Sequence, residues 1–133
     1  METITKTKCP DNKRLDFLPL HTGKAFLQYE QAIYHRMDTA SEDYSGGFWD
    51  YYTLSNGGFY MAWDAEKTLK MENLGNFFDE EMSAEAASIA SNLMVQNAFA
   101  WQIEAERFSE YFHQLRDYAI QHSEAGKILG FID

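Results

Sequence analysis

Residues 44–64 read YSGGFWDYYTLSNGGFYMAWD, a run with two glycine pairs and eight aromatic side chains. Aromatic residues favour strands. Asn56-Gly57 between them is a strong hairpin signal, because a two-residue type I′ loop needs positive φ at both central positions. That geometry predicts Leu54 opposite Phe59, Tyr52 opposite Met61 and Tyr51 opposite Ala62. One face then carries Leu54, Tyr52, Phe59 and Met61, which suits a core. The other carries Trp49, Tyr51, Thr53 and Tyr60, which suits a second layer or a partly wet surface.

Downstream, KTLKMENL alternates, with Leu69 and Met71 on one side and Lys70 and Glu72 on the other. It reads as a third antiparallel strand whose register stays open, since a slip of one residue exchanges its faces. GNFFDEEM reads as a loop. Ser83 is a good N-cap, with Glu85 in the first turn where the helix dipole favours an acid. The helix it opens is broadly apolar through Ala86, Ile89, Ala90, Leu93, Met94 and Val95. It either continues or breaks near WQIEAE. Phe108, Tyr111, Phe112, Leu115, Tyr118 and Ala119 then form a second helical stripe. HSEAGKILGFID is expected to close the chain as a short helical turn and a docked apolar tail.

Upstream, Phe26, Tyr29, Ile33 and Met37 mark a helix over about 24–39, with Thr22 as its N-cap. RLDFLPL, containing Pro19, reads as an irregular packed segment, and residues 1–14 as a mobile tail. The expected fold is α+β: one small antiparallel sheet of three or more strands built on an aromatic hairpin and covered by about four helices, all in a single domain over 15–133.

Composition narrows the function. Apolar residues are 45% of the chain and aromatics 16%, which marks a globular protein rather than a disordered one. The single cysteine, Cys9, excludes an intrachain disulfide and fits a reducing compartment. With no signal-type or membrane-length apolar run, a cytoplasmic protein with no membrane contact is expected. Residues 1–16 hold four Lys/Arg against three Asp/Glu, whereas the rest holds seven against eighteen. Phosphate binding is driven by basic side chains displacing counterions, so an acidic body argues against direct nucleic-acid binding. The acidity is either a solvated surface that aids solubility or an attraction for a basic partner.

The aromatic run lacks the basic groove of a single-strand binder, and the glycines lack phosphate-loop spacing, reading as turn residues instead. Glu110 and His113 form one E-x-x-H pair, but di-iron bundles need two pairs and two further glutamates. No HExxH, CxxC or G-x-S-x-G occurs. No catalytic, cofactor or metal constellation emerges. A hydrolytic pair assembled from distant residues, such as His113 with an acid, stays open. The run FDEEMSAE places Asp79, Glu80, Glu81 and Glu85 together, either as a solvated loop or as a docking patch for a basic protein surface.

Four segments, RLDFLP, EDYSGGFWDYYTLSNGGFYM, MSAEAASIA and LRDYAIQHSEAGKILGFID, resemble the KlcA/ArdB family of antirestriction proteins, over about residues 14–133. The resemblance implies a small bacterial protein carried on plasmids or other mobile elements. It implies an α+β fold, protection of incoming DNA from type I restriction enzymes, and no enzymatic activity. Such protection can come from imitating DNA with a long regular acidic surface, or from contact with the type I restriction-modification complex. A compact chain with scattered acids favours the second, at an unspecified subunit. A plain acidic interaction module in plasmid maintenance is the remaining alternative. The candidate contacts are Asp79, Glu80, Glu81 and Glu85, with the outer aromatic face of Trp49, Tyr51 and Tyr60.

Overall fold

The computed structural model describes residues 3–133, in which the aromatic stretch forms a hairpin that closes differently from the expectation. In chain order the elements are β1 (Lys6–Lys8), α1 (Arg14–Thr22), α2 (Phe26–Ala40), β2 (Trp49–Leu54), β3 (Phe59–Trp63), β4 (Thr68–Asn73), β5 (Phe78–Ser83), α3 (Ala84–Gln102), α4 (Ala105–Ile120) and α5 (Ala125–Ile132). They build an α+β fold with one three-stranded sheet, β1-β2-β3, and one two-stranded sheet, β4-β5.

Thr53 lies opposite Phe59, Tyr52 opposite Tyr60 and Tyr51 opposite Met61, one residue away from the expected register. The reason is the turn. Only Gly57 has positive φ, at 97°, and Asn56 does not. Gly57 N–H donates to Leu54 O and Leu54 N–H donates to Gly58 O, which leaves a three-residue loop closed by a glycine bulge. The shift moves Tyr60 to the face of Tyr52, where the rings stack at 5.1 Å. Phe59 and Met61 join Trp49 and Tyr51 on the opposite face.

The strand at Thr68–Asn73 is not the third of that sheet; it pairs with β5, which the sequence had suggested was a loop. Leu69 and Met71 are fully buried, as their alternation requires. The third strand is β1. Residues 6–8 therefore do not form a mobile tail. Lys8 ammonium reaches Asp50 at 3.4 Å and Lys6 bonds Glu85. The Gln121 amide brackets Ile4, accepting from its N–H and donating to its carbonyl. Residues 1 and 2 lie outside the described residues.

RLDFLPL is helical rather than irregular. Pro19 removes the bond that Leu15 O would accept, but Leu15 is 92% exposed, so the freed carbonyl is open to solvent. Thr22 does not cap α2; it ends α1, its hydroxyl donating to Leu18 O at 2.7 Å. A short 3-10 turn at Gly23–Ala25 follows, and Tyr29, Ile33 and Met37 of α2 are buried as expected. The chain breaks at Ile103–Glu104 between α3 and α4.

Helix α3 is the centre of the molecule. Residues 86–93 are all buried, so that stretch has no wet face. It also covers the free edge of β3. Trp63 N–H donates to Ser88 Oγ at 2.9 Å, and Met61 N–H donates to Asn92 Oδ1 at 3.2 Å. Asn92 Nδ2 returns a bond to Met61 O at 2.8 Å, and Gln96 Nε2 donates to Phe59 O at 3.2 Å. Four helix residues rise about 6.0 Å and two strand residues about 6.8 Å. Polar side chains at every fourth helix position therefore meet every second strand residue, and the helix serves the edge as another strand would.

Candidate functional site

The aromatic and acidic candidates have different fates. Trp49, Tyr51 and Tyr60 are 3%, 8% and 0% exposed, so they offer no outer face. Trp49 Nε1 donates to Tyr44 hydroxyl at 3.2 Å. Tyr51 stacks on Phe17 of α1 at 5.1 Å, with the Arg14 guanidinium 4.9 Å from its ring centre. Tyr60 lies between Tyr52 and Tyr118 of α4. Helices on the sheet cover the rings that the hairpin alone would expose.

The acidic run divides at Ser83. Ser83 accepts from Ala86 N–H at 3.1 Å, as an N-cap should, and its own hydroxyl donates to Glu124. Beyond the cap, Glu85 turns away from the strand acids into a half-buried cluster. Its carboxylate takes bonds from Lys6, from Tyr60 hydroxyl at 3.1 Å and from His122 Nε2 at 3.0 Å. His122 Nδ1 accepts from Glu124 N–H, which leaves the ring proton on Nε2, donating to Glu85. The His122 bond, with help from Lys6 and Tyr60, holds Glu85 down at about 2 against its burial. Burial and the neighbouring carboxylate push the Tyr60 hydroxyl up. Both nitrogens of His122 are engaged, and the Ser83 hydroxyl, which donates to the Glu124 carboxylate, also caps α3, so the bonds of the cluster tie elements together. It is a latch joining β1, β3, α3 and the segment before α5.

Asp79, Glu80 and Glu81 lie exposed along β5. Asp79 and Glu81 share the outer face of the β4-β5 hairpin with Lys70 and Glu72. The sequence did not reveal two features here. First, Glu72 is directly opposite Asp79, an unfavourable like-charge pair. Lys70 bridges it, 3.8 Å from Glu72 and 3.6 Å from Asp79. Second, Asp43, from the segment that follows α2, accepts Lys70 N–H at 2.9 Å. This brings Asp38, Glu42 and Asp43 beside Lys70 and Glu72 around a cleft of about 260 Å³. Reading FDEEMS as a strand opposite TLKMEN would have brought these charges together.

At the tip of this hairpin Leu74 and Phe77 are 87% and 93% exposed. Phe77 is the one non-glycine residue with positive φ among the described residues, at 62°. A bulky side chain there costs about 1–2 kcal/mol. Glu110 and His113, the E-x-x-H pair, are both exposed, and among the described residues no group of three or more His, Cys, Asp or Glu could hold a metal. Among the described residues no helix is long and apolar enough to cross a membrane.

The comparisons with known proteins agree with one another. A family model described as antirestriction protein matches residues 42–133. Uncharacterized protein YafX of Escherichia coli (strain K12) is 42% identical over 134 residues, covering 98% of this chain and 88% of YafX. Antirestriction protein KlcA of Escherichia coli is 36% identical over 137 residues, covering 99% of this chain and 96% of KlcA. A solved structure from work on the KlcA and ArdB proteins superposes with a TM-score of 0.92 at 37% identity, covering 100% of this chain and 99% of the other. That work describes a novel fold and antirestriction activity against Type I DNA restriction systems in vivo but not in vitro. By family match, near-full-length identity and shared fold, this chain belongs to the antirestriction protein family.

Proposed function

We propose that this chain protects incoming DNA in the bacterial cytoplasm from a type I restriction system, by protein contact and without catalysis. The observation that carries the reading is the 0.92 superposition over the whole chain on proteins with that activity in vivo. The contact is assigned to the exposed acids of β5, Asp79, Glu80 and Glu81, with Glu72 beside them. Trp49, Tyr51 and Tyr60 are buried and Glu85 is held in the latch, so none of the four is assigned to this surface.

Imitation of DNA is disfavoured by scale. A six-residue strand spans about 20 Å, over which duplex DNA presents about twelve charges, one per ~1.7 Å. The outer face of the hairpin offers Glu72, Asp79 and Glu81, with Lys70 among them.

Unmodified phage plated on cells with a type I system tests the reading. Expression of the chain is expected to raise plating strongly. The variant Asp79→Lys/Glu80→Lys/Glu81→Lys is expected to fold and to lose most of that rise. No rise with the parent chain, soluble in the cells, overturns the reading. Full protection by the folded triple variant removes the acidic contact from it.

A further inference from the structure

The tip of the β4-β5 hairpin combines three properties. Leu74 and Phe77 are almost wholly exposed. The backbone at Phe77 takes a conformation that disfavours bulky side chains. Yet the loop is firmly held. Asn73 Nδ2 donates to Phe131 O at 2.7 Å, and Asn76 Nδ2 donates to Gly130 O and Phe131 O at 3.1 and 3.0 Å. These are carbonyls at the C-terminal end of α5, which no helical N–H reaches. The oxygens of the same two asparagines accept Gly75 N–H and Phe78 N–H at 3.1 Å each. Phe78 in turn packs edge-on against Phe131 at 5.6 Å.

Two exposed apolar side chains on a mobile loop would be unremarkable. Here both asparagines spend their side chains fixing the loop, and the fixed loop presents rings and methyls to solvent in a disfavoured conformation. A glycine at position 77 would relieve that conformation, so folding alone gives no reason for phenylalanine there. Rigid presentation of an apolar pair lowers the ordering cost of an association. The flanking strands carry Glu72, Asp79 and Glu80, with Lys70 as the one base on either strand.

We propose that Leu74 and Phe77 form the apolar anchor of a docking knob. It inserts into an apolar pocket on a protein partner, and basic side chains around that pocket meet Glu72, Asp79 and Glu80. The inference deepens the antirestriction reading above and rests on it. It divides the labour at the contact: the acids steer and orient the encounter, and the tip supplies the buried anchor.

The test compares Leu74→Ser/Phe77→Gly with the parent chain in the plating assay, alongside thermal unfolding of both purified proteins. Phe77→Asn, also compatible with the left-handed backbone, is the second variant. Leu15→Ser/Leu20→Ser is the control, because those leucines on α1 are also 92% and 78% exposed. Tip variants are expected to unfold at the same temperature as the parent or higher, and to lose about tenfold or more of the protection, the effect of removing a hot-spot anchor. The control is expected to protect fully. Full protection by the tip variants, or an equal loss in the control, overturns the knob and leaves the antirestriction reading standing. A parent chain that gives no protection overturns both.

Discussion

The seam between α3 and β3 and the hairpin β4-β5 are built on opposite principles. In the seam every polar group of the Asn92 side chain is matched. Its oxygen accepts from Tyr29 hydroxyl and Met61 N–H, and its nitrogen donates to Met61 O and Ser88 O. All of this lies at zero exposure. In the hairpin, like charges face each other across the strands, two large apolar side chains stand in water, and an aromatic residue occupies a glycine-like conformation. The first arrangement has folding as its sufficient cause. The second lowers stability locally and is what the contact surface proposed above would require. Departures from local consistency of this kind concentrate at functional sites.

The comparison breaks most easily at Asn92. Asn92→Leu keeps the volume but orphans Met61 N–H and Met61 O inside the core, and leaves the Tyr29 hydroxyl, which still accepts from Gln96 Nε2, with no acceptor for its proton. Each buried unpaired group costs about 1–3 kcal/mol, so the total loss is expected on the order of 3–5 kcal/mol in urea unfolding. A loss below about 1 kcal/mol would mean that the seam contributes little and that the contrast with the hairpin is false.

The Glu85 latch gives the next effect, in pH rather than amplitude. Its carboxyl is lowered from the ordinary 4.5 to about 2 by the His122 bond, with Lys6 and Tyr60 assisting. A depressed folded value stabilises the protein above the unfolded value, and that contribution disappears as pH falls from about 4.5 through about 2. Glu85→Gln should therefore be less stable than the parent at neutral pH, and the gap should close over that acid window. Parallel stability curves for the two proteins down to pH 2 would show that Glu85 is not the group linked to protons.

What the sequence revealed follows the range of the interactions. The hairpin was legible because Asn56-Gly57 and its rings are local signals. Its register was not, because the choice between a two- and a three-residue loop depends on whether Asn56 takes positive φ, and its side chain is instead tied to α4, donating to Gln114 O at 2.9 Å. β1 was missed because its partners, Leu54, Asp50 and Glu85, are all distant in sequence. α1 was hidden by Pro19, whose cost is small where the carbonyl it leaves free is exposed. β5 was hidden by three consecutive acids, residues that strands disfavour. The acidic candidates form one run in the sequence, but their partition at Ser83 was not visible, since only the fold turns Glu85 inward. The aromatic candidates failed because a hairpin read in isolation has two faces, and both are covered here by helices from elsewhere in the chain.

The smallest effect sharpens the comparison most directly. Glu72 lies across from Asp79, and the pair is held together by one exposed lysine. Glu72→Gln removes the repulsion while keeping shape, and leaves Lys70 with Asp79. Cross-strand pairs of this kind are worth about 0.2–1 kcal/mol, and exposed ion pairs such as Lys70–Glu72 contribute little. The variant is therefore expected to gain a few tenths of a kcal/mol at low ionic strength. The gain should fade in about 1 M salt, where charges are screened beyond ~3 Å. A variant that is less stable at low salt would mean that Lys70–Glu72 outweighs the repulsion, and the hairpin would carry no electrostatic strain. A variant that is more stable yet protects less well against restriction would separate the two roles at a single side chain: Glu72 would be unfavourable for the fold and retained for the contact.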